Sequence, residues 1–170
     1  MEIAVRHAVP EDWAAVHEIF LQGHVLAGTQ RLPYESPHYM QARLVSRPGV
    51  TKLAAEVDGQ LVGYAELITH PDNPRHHHAG EVNMIATHEK WQGKGIGRRL
   101  MQAMIELADD WLQLTRLSLI VWTENEHAIR LYEGFGFARE GVMPDYAYRK
   151  GGYVDALMMG RLTRRGVRDY

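Results

Sequence analysis

Gln92-Gly93-Lys94-Gly95-Ile96-Gly97 constrains this chain more than any other segment. A sheet-like run, Glu81 to Thr87, precedes it. After it, Ile96, Leu100, Met104, Leu107 and Trp111 recur every three or four residues, the spacing of one helical face. Glycine lets a backbone turn tightly and approach a ligand closely. The helix that follows begins with free N–H groups and a positive dipole end, so the unit suits a phosphate or pyrophosphate. Lys94, Arg98 and Arg99 add positive charge. No Gly-Lys-Ser/Thr closes the segment, so it is not a P-loop. Its glycines do not fit a dinucleotide fingerprint after a first strand either. A plain glycine-rich turn has the same letters, and spacing alone does not separate the two readings.

The remaining pattern alternates short strands and helices. Ile3 and Val5 alternate with polar neighbours, and Pro10-Glu11-Asp12 opens a helix bearing Trp13, Val16, Ile19 and Phe20 on one face. Gly23 to Pro37 reads as a long irregular loop of the kind that carries function. A short helix is expected around Tyr39 to Ser46. Leu53–Val57 and Leu61–Ile68 flank Asp58-Gly59-Gln60, a hairpin signal. A polar loop, Pro71 to Ala79, leads to Glu81–Thr87. Leu117–Trp122 is expected as a strand, Asn125 begins a helix that Gly134 and Gly136 end, and two strands follow near Ala138–Val142 and Tyr153–Leu162. These elements predict one α+β domain over residues 1–163 and a frayed polar tail over 164–170.

Composition narrows the function classes. In 170 residues, 45 % are hydrophobic and 24 % charged, which supports one packed soluble domain. A formal net charge of -2 without a long run of one sign argues against a nucleic-acid binder. The absence of cysteine excludes disulfides, thiolate zinc sites and a cysteine nucleophile. Met1 to His7 contains no long apolar stretch, so neither a signal peptide nor a membrane span is expected, and the expected location is the cytoplasm. His76-His77-His78 is not read as a metal site, because consecutive side chains point in different directions. Trp91 and Trp111 are read as packing residues.

A second constellation lies downstream. Asn125 and Tyr132 are seven residues apart, two helical turns along one face. A tyrosine hydroxyl there can protonate a leaving group, or it can simply be a packed core residue. Together with the glycine segment this resembles the GNAT superfamily, the Gcn5-related N-acetyltransferases. The signature Gln/Arg-x-x-Gly-x-Gly/Ala is met by Gln92, Gly95 and Gly97. Asn125, Ala128, Tyr132, Gly136 and Phe137 fill the later motif in order. Ile3 to Asp12 resembles the family's opening, and Gly151 to Met159 resembles the close of many bacterial small-molecule members.

The resemblance implies a GNAT fold: a central, mostly antiparallel, splayed mixed sheet flanked by helices. It implies acetyl-CoA as cosubstrate, with pantetheine along the backbone of Met84, Ile85 and Ala86. The pyrophosphate would lie on the amides of Gln92, Gly93, Lys94, Gly95, Ile96, Gly97 and Arg98. An amide near Met84 or Ile85 would polarise the thioester carbonyl. Tyr132 matches the tyrosine that protonates the departing thiolate, and Asn125 the residue that positions the cofactor arm. For the proton of the attacking amine, Glu81 stands eleven residues before Gln92, a spacing some members use for their base. Glu66 and a water chain remain alternatives.

The expected acceptor is a primary amine of a small molecule, an L-amino acid first. The segment Gly23 to His38 carries Arg31 and one acid, Glu35, which fits a substrate carboxylate better than a polycation. Protein N-termini or lysines, polyamines and antibiotics are alternatives within the enzyme reading. A non-catalytic acyl-CoA-binding regulatory module is the alternative outside it, and the presence of both Tyr132 and Glu81 favours catalysis. A homodimer is left open as the assembly.

Overall fold

A computed structural model describes residues 1–163. The expected tail, 164–170, lies outside the described residues. Twelve main elements follow in order. They are β1 (Ala4–His7), α1 (Trp13–Phe20), α2 (Gly23–Gly28), α3 (Pro37–Leu44), β2 (Val50–Val57), β3 (Gln60–Thr69) and β4 (Ala79–Thr87). Then come α4 (Ile96–Glu106), β5 (Arg116–Trp122), α5 (Glu126–Glu133), β6 (Ala138–Arg149) and β7 (Gly152–Leu162). The strands form a seven-stranded sheet in the order β1-β2-β3-β4-β5-β7-β6. β4 and β5 pair in parallel, and the β1–β2, β2–β3, β5–β7 and β6–β7 pairs are antiparallel. The expected α+β class and mixed, mostly antiparallel sheet are therefore present.

The chain divides into two compact units. The first comprises residues 1–68 and 83–104. Its core gathers Val16, Ile19 and Phe20 of α1, Val25 of α2, Met40 and Leu44 of α3, and Ala54, Tyr64 and Ala86 of the sheet. The β2–β3 hairpin turns as its sequence dictates: Asp58 and Gly59 hold φ of 50° and 77°, the left-handed pair of a two-residue hairpin turn, and Val57 faces Gln60. Glycine is needed at 63 on β3 for another reason. A Cβ there would stand 2.6 Å from Ile96 Cγ2 and 3.1 Å from Leu100 Cδ1, so the start of α4 rests directly on this strand.

The second unit comprises residues 69–82 and the chain from 105 onward. Leu117, Leu119 and Val121 of β5, Ile129 of α5, Phe137, and Ala156, Leu157 and Met159 of β7 are buried. The β4–β5 ladder pairs Ala79, Gly80 and Glu81 with Arg116, Leu117 and Ser118. Arg161 clamps Asp109 with two bonds of 2.8 Å.

Four local expectations change. The segment 23–37 contains a helix, α2. Its glycine ends disguise it, but buried Val25 anchors it and the Thr29 hydroxyl bonds Val25 C=O at 2.7 Å. α3 begins at Pro37, earlier than expected, because proline at the first helical position needs no N–H acceptor. The long helix is α-helical only to Glu106. Residues Leu107–Trp111 form a wider π-type turn, which breaks the periodicity, and Trp111 is 79 % exposed instead of packed. β6 continues through Pro144 to Arg149, absorbing Pro144 and Asp145 (φ 49°) in a register shift between Met143 and Ala147.

Candidate active site

The glycine segment folds as a strand-to-helix turn. Gly93 and Gly95 adopt φ of 73° and 86°, the left-handed region that disfavours a side chain. Among the described residues a Cβ at Gly93 would meet nothing within 4 Å, and one at Gly95 only Ile3 Cδ1 at 4.0 Å. These glycines are therefore set by backbone conformation, not by crowding within the protein. Arg99 N–H bonds Gly95 C=O at 2.9 Å, which begins the helical ladder; the amides of the first turn have no acceptor within the helix. Ile96 is buried and fixes the turn, while residues 92–95 are exposed. The Lys94 ammonium stands 4.6 Å from the centre of the Trp91 ring, so Trp91 carries a cation instead of only packing.

Within the same unit, Met84 and Ile85 are half-buried and Ala86 is buried on β4, three residues before the turn that leads to Gln92. Asn83 beside them donates to Glu66 Oε2 at 2.8 Å. Glu66 is almost wholly buried and fully engaged. Arg43 grips it through Nε at 2.8 Å and Nη2 at 2.7 Å, and the Tyr64 hydroxyl donates to Oε1 at 2.6 Å. Burial alone would raise the Glu66 carboxyl. The Arg43 charge and the bonds from Tyr64, Arg43 and Asn83 outweigh it and hold the group below the usual carboxylate range. Burial beside Glu66 pushes the Tyr64 phenol up, so it stays a donor.

Glu81, on β4 in the second unit, is in a different setting. Its side chain is about half exposed at 48 %, and its Oε1 lies 3.2 Å from His70 Nε2. The His70 ring lies 4.9 Å from that of His76, and His76 lies 5.7 Å from His78. His77 turns away to Pro74 C=O. Among the described residues no group of three or more histidines and carboxylates is arranged to hold a metal ion.

Asn125 caps α5, its Oδ1 accepting from Ala128 N–H at 3.2 Å, which leaves the amide NH2 to reach elsewhere. Tyr132 lies against Phe137, ring centres 6.2 Å apart. Burial pushes the Tyr132 phenol up to about 12, so it is protonated throughout the neutral range. The Trp122 indole N–H is buried without a partner among the described residues. Sequence reasoning did not single out Arg43, Tyr39, Tyr64, Asn83 or His70. The Tyr64/Glu66 alternation on one strand face was the available signal; the others come together only through the fold.

A family model, the acetyltransferase (GNAT) family, matches residues 13–137. The L-amino acid N-acetyltransferase AaaT of Escherichia coli (strain K12) is 38 % identical over 95 % of this chain and 98 % of its own length. The spermidine N(1)-acetyltransferase of the same organism is 28 % identical over 92 % of this chain and 84 % of its own. A solved structure, yncA, a putative acetyltransferase from Salmonella typhimurium with its cofactor acetyl-CoA, superposes with a TM-score of 0.83 over 99 % of both chains. Its 24 % identity speaks for the fold alone. The chain belongs to the acetyltransferase (GNAT) family. It is an acyltransferase enzyme of the N-acetyltransferase class.

Proposed function

We propose that this enzyme transfers the acetyl group of acetyl-CoA to the α-amino group of an L-amino acid by direct attack, residues 1–163 acting as one catalytic domain. The turn at the start of α4 carries the reading: left-handed Gly93 and Gly95 hold it open at the N-terminal, positive end of the helix. The pyrophosphate takes the amides of Gln92, Gly93, Lys94, Gly95, Ile96, Gly97 and Arg98. The pantetheine arm lies along Met84, Ile85 and Ala86, and the Asn125 amide positions it. An amide at Met84 or Ile85 donates to the thioester oxygen as negative charge grows there.

The chemistry needs one proton removed and one supplied. The neutral amine attacks the thioester carbonyl carbon, the C–S bond breaks, and an amide and a thiolate form. Glu81 takes the amine's proton, oriented by its contact with His70. Tyr132 gives its proton to the thiolate, a role supported by a phenol that burial keeps protonated. Glu66 is the poorer base, since its four donors all favour the anion.

The L-amino acid relative supports the acceptor class, as does the segment 23–38 with Arg31 and a single acid. The net charge of -2 supports a small-molecule acceptor over nucleic acid. No described helix is long and apolar enough to cross a membrane, and we read the location as cytoplasmic. A homodimer is the assembly to test by light scattering. A thiol-release assay with acetyl-CoA and a panel of amines tests the function. L-amino acids should release thiol fastest; faster release with polyamines or peptides would reassign the acceptor, and a failure of every amine to release thiol would support a binding module instead.

A further inference from the structure

Two guanidinium groups converge on one phenol in the first unit. Arg31 Nη1 donates to the Tyr39 hydroxyl oxygen, and Arg43 Nη1 donates to the same oxygen at 3.3 Å. A phenol oxygen that accepts twice still owns one hydrogen. The Tyr39 hydrogen has no acceptor among the described residues, and the residue is 39 % exposed. Burial would raise the Tyr39 phenol, yet the two arginines outweigh it and lower it, which makes it a better donor.

The charges in this cluster do not balance locally. Arg43 is matched by Glu66 through two short bonds. Among the described residues the one acid paired with Arg31 is Glu35, by a single contact at 3.4 Å. Its Nε and Nη2 have no acceptor among the described residues, although the side chain is only 19 % exposed. A half-buried guanidinium with a free two-nitrogen edge beside a phenol O–H matches the two oxygens of a carboxylate.

The cluster also leads toward the chemistry. Tyr39 is fixed by Arg43, Arg43 by Glu66, and Glu66 by Asn83, the residue next to Met84 on β4. That chain of contacts lies wholly within one unit.

We propose that Arg31 and Tyr39 form the subsite that binds the α-carboxylate of the acceptor, with Arg43 and Glu66 as positioning residues. This rests on the amino-acid reading above and deepens it. The subsite explains how one fold selects amino acids over amines without a carboxylate. Arg31 supplies a charge-assisted fork, Tyr39 a third hydrogen bond, and the amine is presented at a fixed distance from the bound carboxylate.

The test compares proteinogenic L-amino acids with their primary carboxamides in the thiol-release assay. The parent should prefer the acids. Arg31→Gln should lower kcat/KM for the acids by about tenfold to a hundredfold, mainly through KM, and change the carboxamides by less than about threefold. Tyr39→Phe should act in the same direction with a smaller effect. Arg31→Lys, which keeps the charge and loses the fork, guards against a folding defect and should recover part of the preference. Equal losses for acids and carboxamides in Arg31→Gln, or no loss in either, would overturn the subsite while leaving amino-acid acetylation in place. A parent that acetylates amines but no amino acid would overturn both readings.

Discussion

The Tyr64 hydroxyl donates to Glu66 Oε1 at 2.6 Å, and both groups are buried on the same face of β3. With Arg43 and Asn83 this makes Glu66 an anion held by four donors. Such a carboxylate resists protonation and is a structural group first. Removing it leaves the Arg43 charge, only 11 % exposed, without its partner. Glu66→Gln should therefore destabilise the protein by about 3 kcal/mol, read from urea unfolding.

The same group sets a pH dependence. Its folded-state pKa is lowered, so its contribution is fully present above the unfolded value near 4.5 and is lost as pH falls through the folded value. Unfolding free energies measured through that acid window should fall more steeply for the parent than for Glu66→Gln. Parallel slopes would remove Glu66 from the acid response.

Glu81 should behave oppositely in catalysis. Glu81→Gln should remove or shift the acidic limb of the log kcat/KM–pH plot while leaving the melting temperature nearly unchanged, since its carboxylate is half exposed. If that profile keeps its shape and height while Glu66→Gln loses its limb per folded enzyme, the base is Glu66. If neither changes, solvent accepts the proton.

Tyr132→Phe should reduce kcat by on the order of a hundredfold and leave acetyl-CoA affinity within about twofold by calorimetry. A phenol pushed up to about 12 loses its proton only in strong alkali, so Tyr132 should add no falling limb between neutrality and pH 10. Parent turnover in the variant would make Tyr132 a packing residue against Phe137.

Two glycines separate site from scaffold. Gly95→Val places a β-branched residue at φ 86° with open space around its Cβ. It should weaken acetyl-CoA binding more than tenfold, beside a backbone-strain cost of about 1–3 kcal/mol in stability that calorimetry on the folded variant separates from binding. Gly63→Val drives a side chain into Ile96 and Leu100 and should cost about 1–3 kcal/mol of stability. Unchanged affinity in Gly95→Val would argue against the pyrophosphate at this turn.

What could be read from the sequence was local. Asp58-Gly59 announced its hairpin, and the glycines before Ile96 announced their turn, because each signal lies within a few residues of its effect. α2 was hidden because Gly23 and Gly28 oppose helix formation and buried Val25 overrides them. Trp111 misled because a π-type turn rotates the face that regular spacing would bury. The Arg43–Glu66 pair joins residues 23 apart, and Arg6 joins Glu56 from 50 away. Such partners are chosen by the pairing of β1 with β2 and by the packing of α3 against β3, which no short window of sequence contains.

The most direct test of acetyl transfer follows the acetyl group itself. Acetyl-CoA labelled with heavy isotope in the acetyl group is incubated with the enzyme and an equimolar mixture of L-amino acids, and products are read by mass spectrometry with fragmentation. The account predicts the label on the α-nitrogen of one or a few amino acids, equal in amount to the thiol released. Thiol release with labelled acetate as the product, or label retained on acetyl-CoA, would contradict it.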